Sequence, residues 1–306
     1  MNCWCDSPRF SPFGNGYHRC DSCQTLVVDG GTAGFDPRVR DESADLYGQN
    51  YWFAHQTDHL GLPDLVARAR SDLSERCAFW LRTLLTVMVP PARVLEIGCG
   101  HGGFVSLLAQ AGFDAAGLEL SPGVVDFARR TFGVPMLTGP IEDQHIPDAS
   151  LDAVVMMDVM EHLPDPVGTM RRCVRLLAPG GVLLVQTPCY PAHRSLADLT
   201  TAGHQFPMML DPGEHPFLFS QQSAAALLAR VGAGHVRFVP PAYPPYDMSF
   251  VAAAGPLPSV DPADADAAIA TTPAGRVVLA LLDCDRRRLE LLGKFRQLRD
   301  ARAPVA

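Results

Sequence analysis

Apolar positions along the chain change rhythm several times, and each rhythm predicts an element. Leu65, Ala69, Leu73, Cys77, Trp80, Leu81, Leu84 and Met88 recur at helical spacing until Pro90-Pro91 stops the run, which predicts one long helix with a buried face. From Val94 onward, short continuous apolar runs alternate with amphipathic stretches. The runs predict strands at Val94–Ile97, Ala115–Leu120, Val134–Leu137, Ala153–Met157 and Val182–Gln186; the stretches between them predict helices at Gly103–Ala111, Gly123–Phe132 and Val167–Leu177. A strand that is apolar throughout is buried on both faces, so this alternation predicts an α/β protein with a parallel, doubly wound sheet. Turn residues such as Ala178-Pro179-Gly180-Gly181 delimit its elements.

A helix at Ser220–Val231 and strands at His235–Val239 and Met248–Ala253, separated by a proline-rich loop, then predict a closing antiparallel hairpin. Val278, Leu281, Leu282, Leu289, Leu292 and Phe295 predict an amphipathic terminal helix that docks on the domain or pairs with a second copy. Between these elements, residues 187–216 read as a long irregular insertion. The boundaries that follow are 1–28, 29–92 (linker and N-terminal helices), 93–255 (the sheet domain) and 256–306 (linker and terminal helix).

Composition removes several functional classes. With 47% hydrophobic residues among 306, the chain can bury a sizeable core. A net charge of -8 argues against a surface that neutralises nucleic-acid phosphates or anionic lipid. No apolar run is long enough to span a bilayer, and the start lacks a basic-then-apolar leader, so the expected location is the cytoplasm. Thiols stay reduced there, which turns clustered cysteines into candidate metal ligands. Cys3, Cys5, Cys20 and Cys23 fall within a Pro-, Gly- and Ser-rich stretch with few core formers. Four thiolates around zinc would staple such a segment, with His18 as a possible replacement ligand.

The strongest chemical signal lies where the first strand of the sheet meets a helix. Gly98-x-Gly100-x-x-Gly103 matches the dinucleotide pattern, with Glu119 about twenty residues on, where a carboxylate can hold ribose hydroxyls. A nicotinamide oxidoreductase is therefore one reading. Glu96 and Gly102 extend the motif to Glu-x-Gly-x-Gly-x-Gly, and an acid beside the turn repels a pyrophosphate but attracts a sulfonium and its ammonium group. S-Adenosylmethionine fits this better. Leu46 to Phe53, with Tyr47, Tyr51, Trp52 and Phe53, reads either as an apolar cluster or as an aromatic flap over a substrate.

From about Arg93 to Gly255 the chain resembles the class I S-adenosylmethionine-dependent methyltransferases. The resemblance rests on the glycine turn, Glu119, the acidic pair Glu142-Asp143, the turn Asp158-Val159-Met160-Glu161-His162-Leu163, Leu177 to Gly181, and His215-Pro216-Phe217-Leu218-Phe219-Ser220. It implies a Rossmann-like seven-stranded sheet, and a cofactor held by Glu96, Gly98, Cys99, Gly100, Gly102, Glu119, Leu120, Glu142, Asp143 and Asp158. For a hydroxyl acceptor a base is needed, and His162, His193, His204 and His215 are the candidates, with Asp158 as an orienting carboxylate. The cysteine cluster ahead of such a domain also resembles bacterial sugar methyltransferases that carry a small zinc-binding segment. O-Methylation of a sugar or another hydroxylated metabolite is the resulting expectation. C- or N-methylation of a similar sugar, a nicotinamide enzyme and an inactive cofactor-binding scaffold are its alternatives.

Overall fold

The computed structural model describes residues 2–55, 57, 61, 63–241 and 246–302; stretch 242–245 of the proline-rich loop lies outside them. The centre is a seven-stranded sheet. Its strands are β4 (Arg93–Ile97), β5 (Asp114–Glu119), β6 (Met136–Thr138), β7 (Leu151–Met157), β8 (Leu177–Pro188), β10 (His235–Val239) and β11 (Asp247–Ala253), in the order β10-β11-β8-β7-β4-β5-β6. The chain runs outward from β4 to β6, then returns to β7 on the other side of β4. That reversal opens a crevice at the carboxyl ends of β4 and β7, where ligands of such sheets bind. β11 pairs antiparallel with β8, and β10 antiparallel with β11, as the closing hairpin requires.

Successive residues of the central strands feed opposite cores. Val94, Val155 and Leu184 pack with the helices on one face, and Leu95, Val154, Met156 and Leu183 with those on the other. Helices α3 (Gly103–Ala111), α4 (Pro122–Phe132), α5 (Pro166–Leu176) and α7 (Gln221–Arg230) lie where the amphipathic stretches place them. Side chains of Ser121 and Asp165 cap α4 and α5 by accepting N–H bonds from Val124 and Gly168.

Several expectations need correction. The long N-terminal helix divides into α1 (Leu65–Asp72) and α2 (Ala78–Leu85) around a π-helical turn, Leu73–Cys77, and a second π turn spans Tyr51–His55. Ala178 to Gly181 belongs to β8 rather than to a turn between elements. The insertion contains α6 (Leu196–Thr201), capped by a reciprocal Ser195–Asp198 box, and the following linker contains α8 (Pro262–Ile269). In α9 (Pro273–Arg302), Val278 and Leu282 are buried while Leu289, Leu291, Leu292 and Phe295 are exposed.

The N-terminal segment differs most from its sequence appearance. It forms β1 (Phe10–Gly14), β2 (Tyr17–Cys20) and β3 (Leu26–Val28), with Trp4, Tyr17, Leu26 and Val27 buried. β3 takes on β9 (Phe217–Leu218) from just beyond the insertion, in the order β1-β2-β3-β9. Core formers missing from the segment are thus borrowed from the domain behind it.

Candidate active site

A cleft of about 1510 Å³ opens above β4 and β7. One half is built around the glycine turn. Gly98 and Gly100 have φ of +68° and +49°, and a Cβ on Gly98 would sit 2.5 Å from Val159 Cγ2. The turn thus needs residues that adopt left-handed angles and lets a ligand approach main chain. Glu119 is buried and accepts the N–H groups of Gly100 (3.1 Å), Leu120 (2.8 Å) and Ser121 (3.2 Å), so its carboxylate ties the turn to the end of β5. Glu96 is 3% exposed and its Oε2 has no hydrogen-bond partner. Burial, then the neighbouring Glu119, pushes its pKa well above the usual carboxyl value. A buried, unpartnered carboxyl oxygen beside a glycine cradle fits the ammonium–sulfonium end of S-adenosylmethionine.

Trp52 lies against this turn, its ring 3.0 Å from where a Gly100 Cβ would stand. Tyr47 and Tyr51 line the same cleft, so the aromatic stretch roofs the site rather than forming a satellite cluster. Glu142 lines the cleft and hydrogen-bonds the Thr169 hydroxyl; Asp143 does not line it and pairs with Arg38 at 3.3 Å. Cys99 is buried, its thiol 3.8 Å from Met136 Sδ.

The other half is made of side chains from distant elements. Asp158, held at φ +59°, accepts from Arg76 (3.0 Å) and from Gln186 Nε2 (3.0 Å), while Trp80 Nε1 donates to Gln186 Oε1 (2.9 Å). His162 faces His215 with ring centroids 4.7 Å apart. Its Nδ1 is 2.9 Å from the Glu214 carbonyl and 2.7 Å from the Tyr47 hydroxyl. Burial, then the adjacent His215, holds the His162 pKa well below the usual imidazole value. Burial raises Glu161 well above a normal carboxyl and pushes Asp247 up to about 8, with the Asp158 charge adding to both.

Two candidate bases stay away from the cleft. His193 is exposed, and His204 accepts the Phe206 N–H at 3.0 Å; neither lines the cavity. Glu161, Glu214, Arg76, Gln186 and Asp247 were not among the candidates. Glu161 and Glu214 precede His162 and His215 directly, a signal available in the sequence, whereas Arg76 and Asp247 reach the cleft, and Gln186 reaches Asp158, only by packing.

Beneath the insertion, Cys3, Cys5, Cys20 and Cys23 converge with their sulfurs within 4.8 Å of one another. The Cys3–Cys23 and Cys5–Cys20 separations are 3.4 and 3.6 Å, close to the about 3.8 Å edge of a tetrahedron with zinc–sulfur bonds of about 2.3 Å. His18 pairs with Asp29 instead. The segment reaches the cleft through Tyr17, whose hydroxyl donates to the His215 carbonyl at 2.8 Å.

A crevice at the sheet's reversal, with a glycine turn between two buried acids, defines a nucleotide-cofactor enzyme, and comparison identifies the group. Residues 69–235 match the family described as "Methyltransferase domain", and the chain belongs to the class I S-adenosylmethionine-dependent methyltransferases. It is 40% identical over 144 residues to a probable S-adenosylmethionine-dependent methyltransferase of Mycolicibacterium smegmatis, covering 47% of this chain and 48% of that protein. It is 36% identical over 107 residues to the ubiquinone biosynthesis O-methyltransferase of Xanthomonas campestris pv. campestris, covering 33% of this chain and 45% of that one. The chain thus spans about half the length of these relatives. A solved structure of a possible histamine N-methyltransferase from Thermotoga maritima is 21% identical with a TM-score of 0.45, covering 62% of this chain and 96% of that one. The family match sets aside the nicotinamide reading. Among the described residues, no helix is long and apolar enough to cross a membrane.

Proposed function

We propose that the protein O-methylates a hydroxylated small molecule, a sugar or a precursor of a polysaccharide or secondary metabolite. The observation that carries this is the continuity of one cleft, from the unpartnered Glu96 oxygen to the His162–His215 pair. S-Adenosylmethionine supplies a methyl on a cationic sulfonium for in-line transfer. Glu96 faces the ammonium–sulfonium end, Gly98, Cys99, Gly100 and Gly102 contribute the cradle, and Glu119 with Leu120 borders the ribose. Glu142 borders the adenine, and Asp143 supports that edge through Arg38. Asp158 stands between the halves, and the histidine pair meets the acceptor hydroxyl and favours loss of its proton, worth roughly 10²- to 10⁴-fold. Trp52, Tyr47 and Tyr51 exclude water. Incubation with labelled cofactor and hydroxylated metabolites, followed by mass spectrometry, tests the reading. Methyl appearing only on nitrogen or carbon, or on no acceptor, would sink it.

The domain division at 28, 92 and 255 belongs to the same proposal, with the first segment holding structural zinc on its four cysteines. Metal analysis should find zinc bound there. Cys20→Ser should release it and lower the melting temperature by about 5 °C, equivalent to about 2 kcal/mol in a chain this long. The exposed apolar half of α9 supports a homodimer, which sedimentation would detect.

A further inference from the structure

Glu161, His162 and His215 bring one ligating atom each within 4.8 Å of the other two. Each is held from behind. His162 Nδ1 lies 2.9 Å from the Glu214 carbonyl and His215 Nδ1 lies 2.7 Å from the Met209 carbonyl. A carbonyl only accepts, so Nδ1 carries the hydrogen in both rings and Nε2 is left to present a lone pair. Tyr47 completes the arrangement at His162, accepting a share of the Nδ1–H while its own hydroxyl leans to the same carbonyl at 3.4 Å. The Glu161 carboxylate is anchored likewise, its Oε2 accepting from the Thr187 hydroxyl at 2.8 Å.

What remains unexplained is the gap in front. Glu161 Oε1 and His162 Nε2 are 3.9 Å apart, too far for a hydrogen bond. No hydrogen bond closes that distance between the buried Glu161 and the half-buried His162. Ligands about 2.0–2.2 Å from a shared ion lie about 3 to 4 Å from one another; the Glu161–His162 separation of 3.9 Å falls in that range, and all three atoms lie within 4.8 Å of one another. Anchoring through Nδ1–H to main-chain carbonyls is also how metal-ligating imidazoles are oriented. Asp158 and Asp247 line the same cleft and add carboxyl oxygens to its wall.

We propose that Glu161, His162 and His215 form a second metal site, separate from the cysteine cluster, that takes a divalent transition-metal ion on two imidazoles and one carboxylate. Its remaining positions open into the cleft, where they suit an acceptor with one or two hydroxyl oxygens. An oxygen so bound loses its proton to solvent at lower pH, so the two imidazoles favour that loss through the ion rather than as bases. It then forms the new O–C bond as the S–C bond breaks, leaving the cofactor as a neutral thioether. This role rests on the proposed O-methylation, but the site does not.

Cobalt(II) titration of the full chain, followed by calorimetry and visible absorption, tests the site. Wild type should bind two ions per chain, one with intense thiolate charge-transfer bands and one without them. Glu161→Gln/His215→Gln should keep the thiolate-type ion and lose the other. Thr187→Val, which only frees the carboxylate, should weaken the second ion about tenfold. Equal stoichiometry in the double variant would overturn the site. So would a single, thiolate-type ion in wild type, an outcome independent of whether the variant folds. S-Adenosylhomocysteine affinity reports that folding separately. If the second ion binds but no hydroxyl acceptor is methylated, the site stands and the O-methylation reading fails. If metal-stripped protein methylates hydroxyls at the wild-type rate, the O-methylation stands and the role of the ion fails.

Discussion

The two halves of the cleft are made of different material. Around Gly98 to Gly103 the wall is largely main chain, and the adjoining Glu119 is fixed by N–H groups of Gly100, Leu120 and Ser121. Around His162 and His215 the wall is side chain, and main-chain carbonyls serve only to aim the rings. Backbone geometry follows from a strand, a turn and a helix contiguous in the chain. Side-chain geometry needs β7, β8, the insertion, α1 with its π turn and the N-terminal sheet to meet. The first half should therefore tolerate changes elsewhere in the molecule, and the second should register them.

The sharpest break between the halves is expected from His215→Gln. Turnover should fall by about 10²-fold or more, while calorimetry finds S-adenosylhomocysteine affinity within about twofold of wild type. A parallel loss of affinity would mean that the two halves are not separable. Glu119→Ala should do the reverse, weakening cofactor affinity at least about tenfold, or about 1.4 kcal/mol. Unchanged affinity would place the ribose elsewhere.

Glu96 gives a smaller, pH-dependent contrast. In the free protein burial raises its pKa, so it keeps its proton at pH values where an exposed glutamate has lost it. An arriving ammonium favours the ionised form and lowers that pKa, so binding releases a proton and affinity rises with pH across this window. Calorimetry in buffers of different ionisation enthalpy should detect the released proton, and Glu96→Gln should abolish that part of it. The smallest effects are expected at His193 and His204, where alanine should change turnover less than twofold; a larger loss at either would redraw the acceptor half.

Legibility in the sequence divides along the same line. The glycine turn, Glu96 and Glu119 were recognisable because their roles depend on neighbours close in the chain or one strand away. The histidines could be counted but not sorted, since His162 and His215 are brought together from turns far apart in the chain, and Tyr47 and Tyr17 reach them from residues far upstream. The insertion looked structureless for a related reason. α6 within it and β9 just beyond it are short, and β9 pairs with the edge that β3 offers. The cysteine segment seemed to lack a core because Leu26 and Val27 find theirs against residues of the domain far along the chain, among them Tyr190, Phe217 and Leu218. The first π turn left no readable period and the second read as uninterrupted helix, yet they carry Trp52 and Arg76 into the site.

By itself the sequence determined the α/β alternation, the crevice at the reversal of strand order, the cofactor class and the cysteine cluster. Each is a property of hydrophobic period or of residues held at fixed short spacing. Tertiary structure alone decided which histidines share the cleft, that Asp143 pairs with Arg38 and does not line it, and that an aromatic roof covers the glycine turn. Those outcomes depend on the packing of elements separated by scores of residues, and periodicity carries no information about which of them meet.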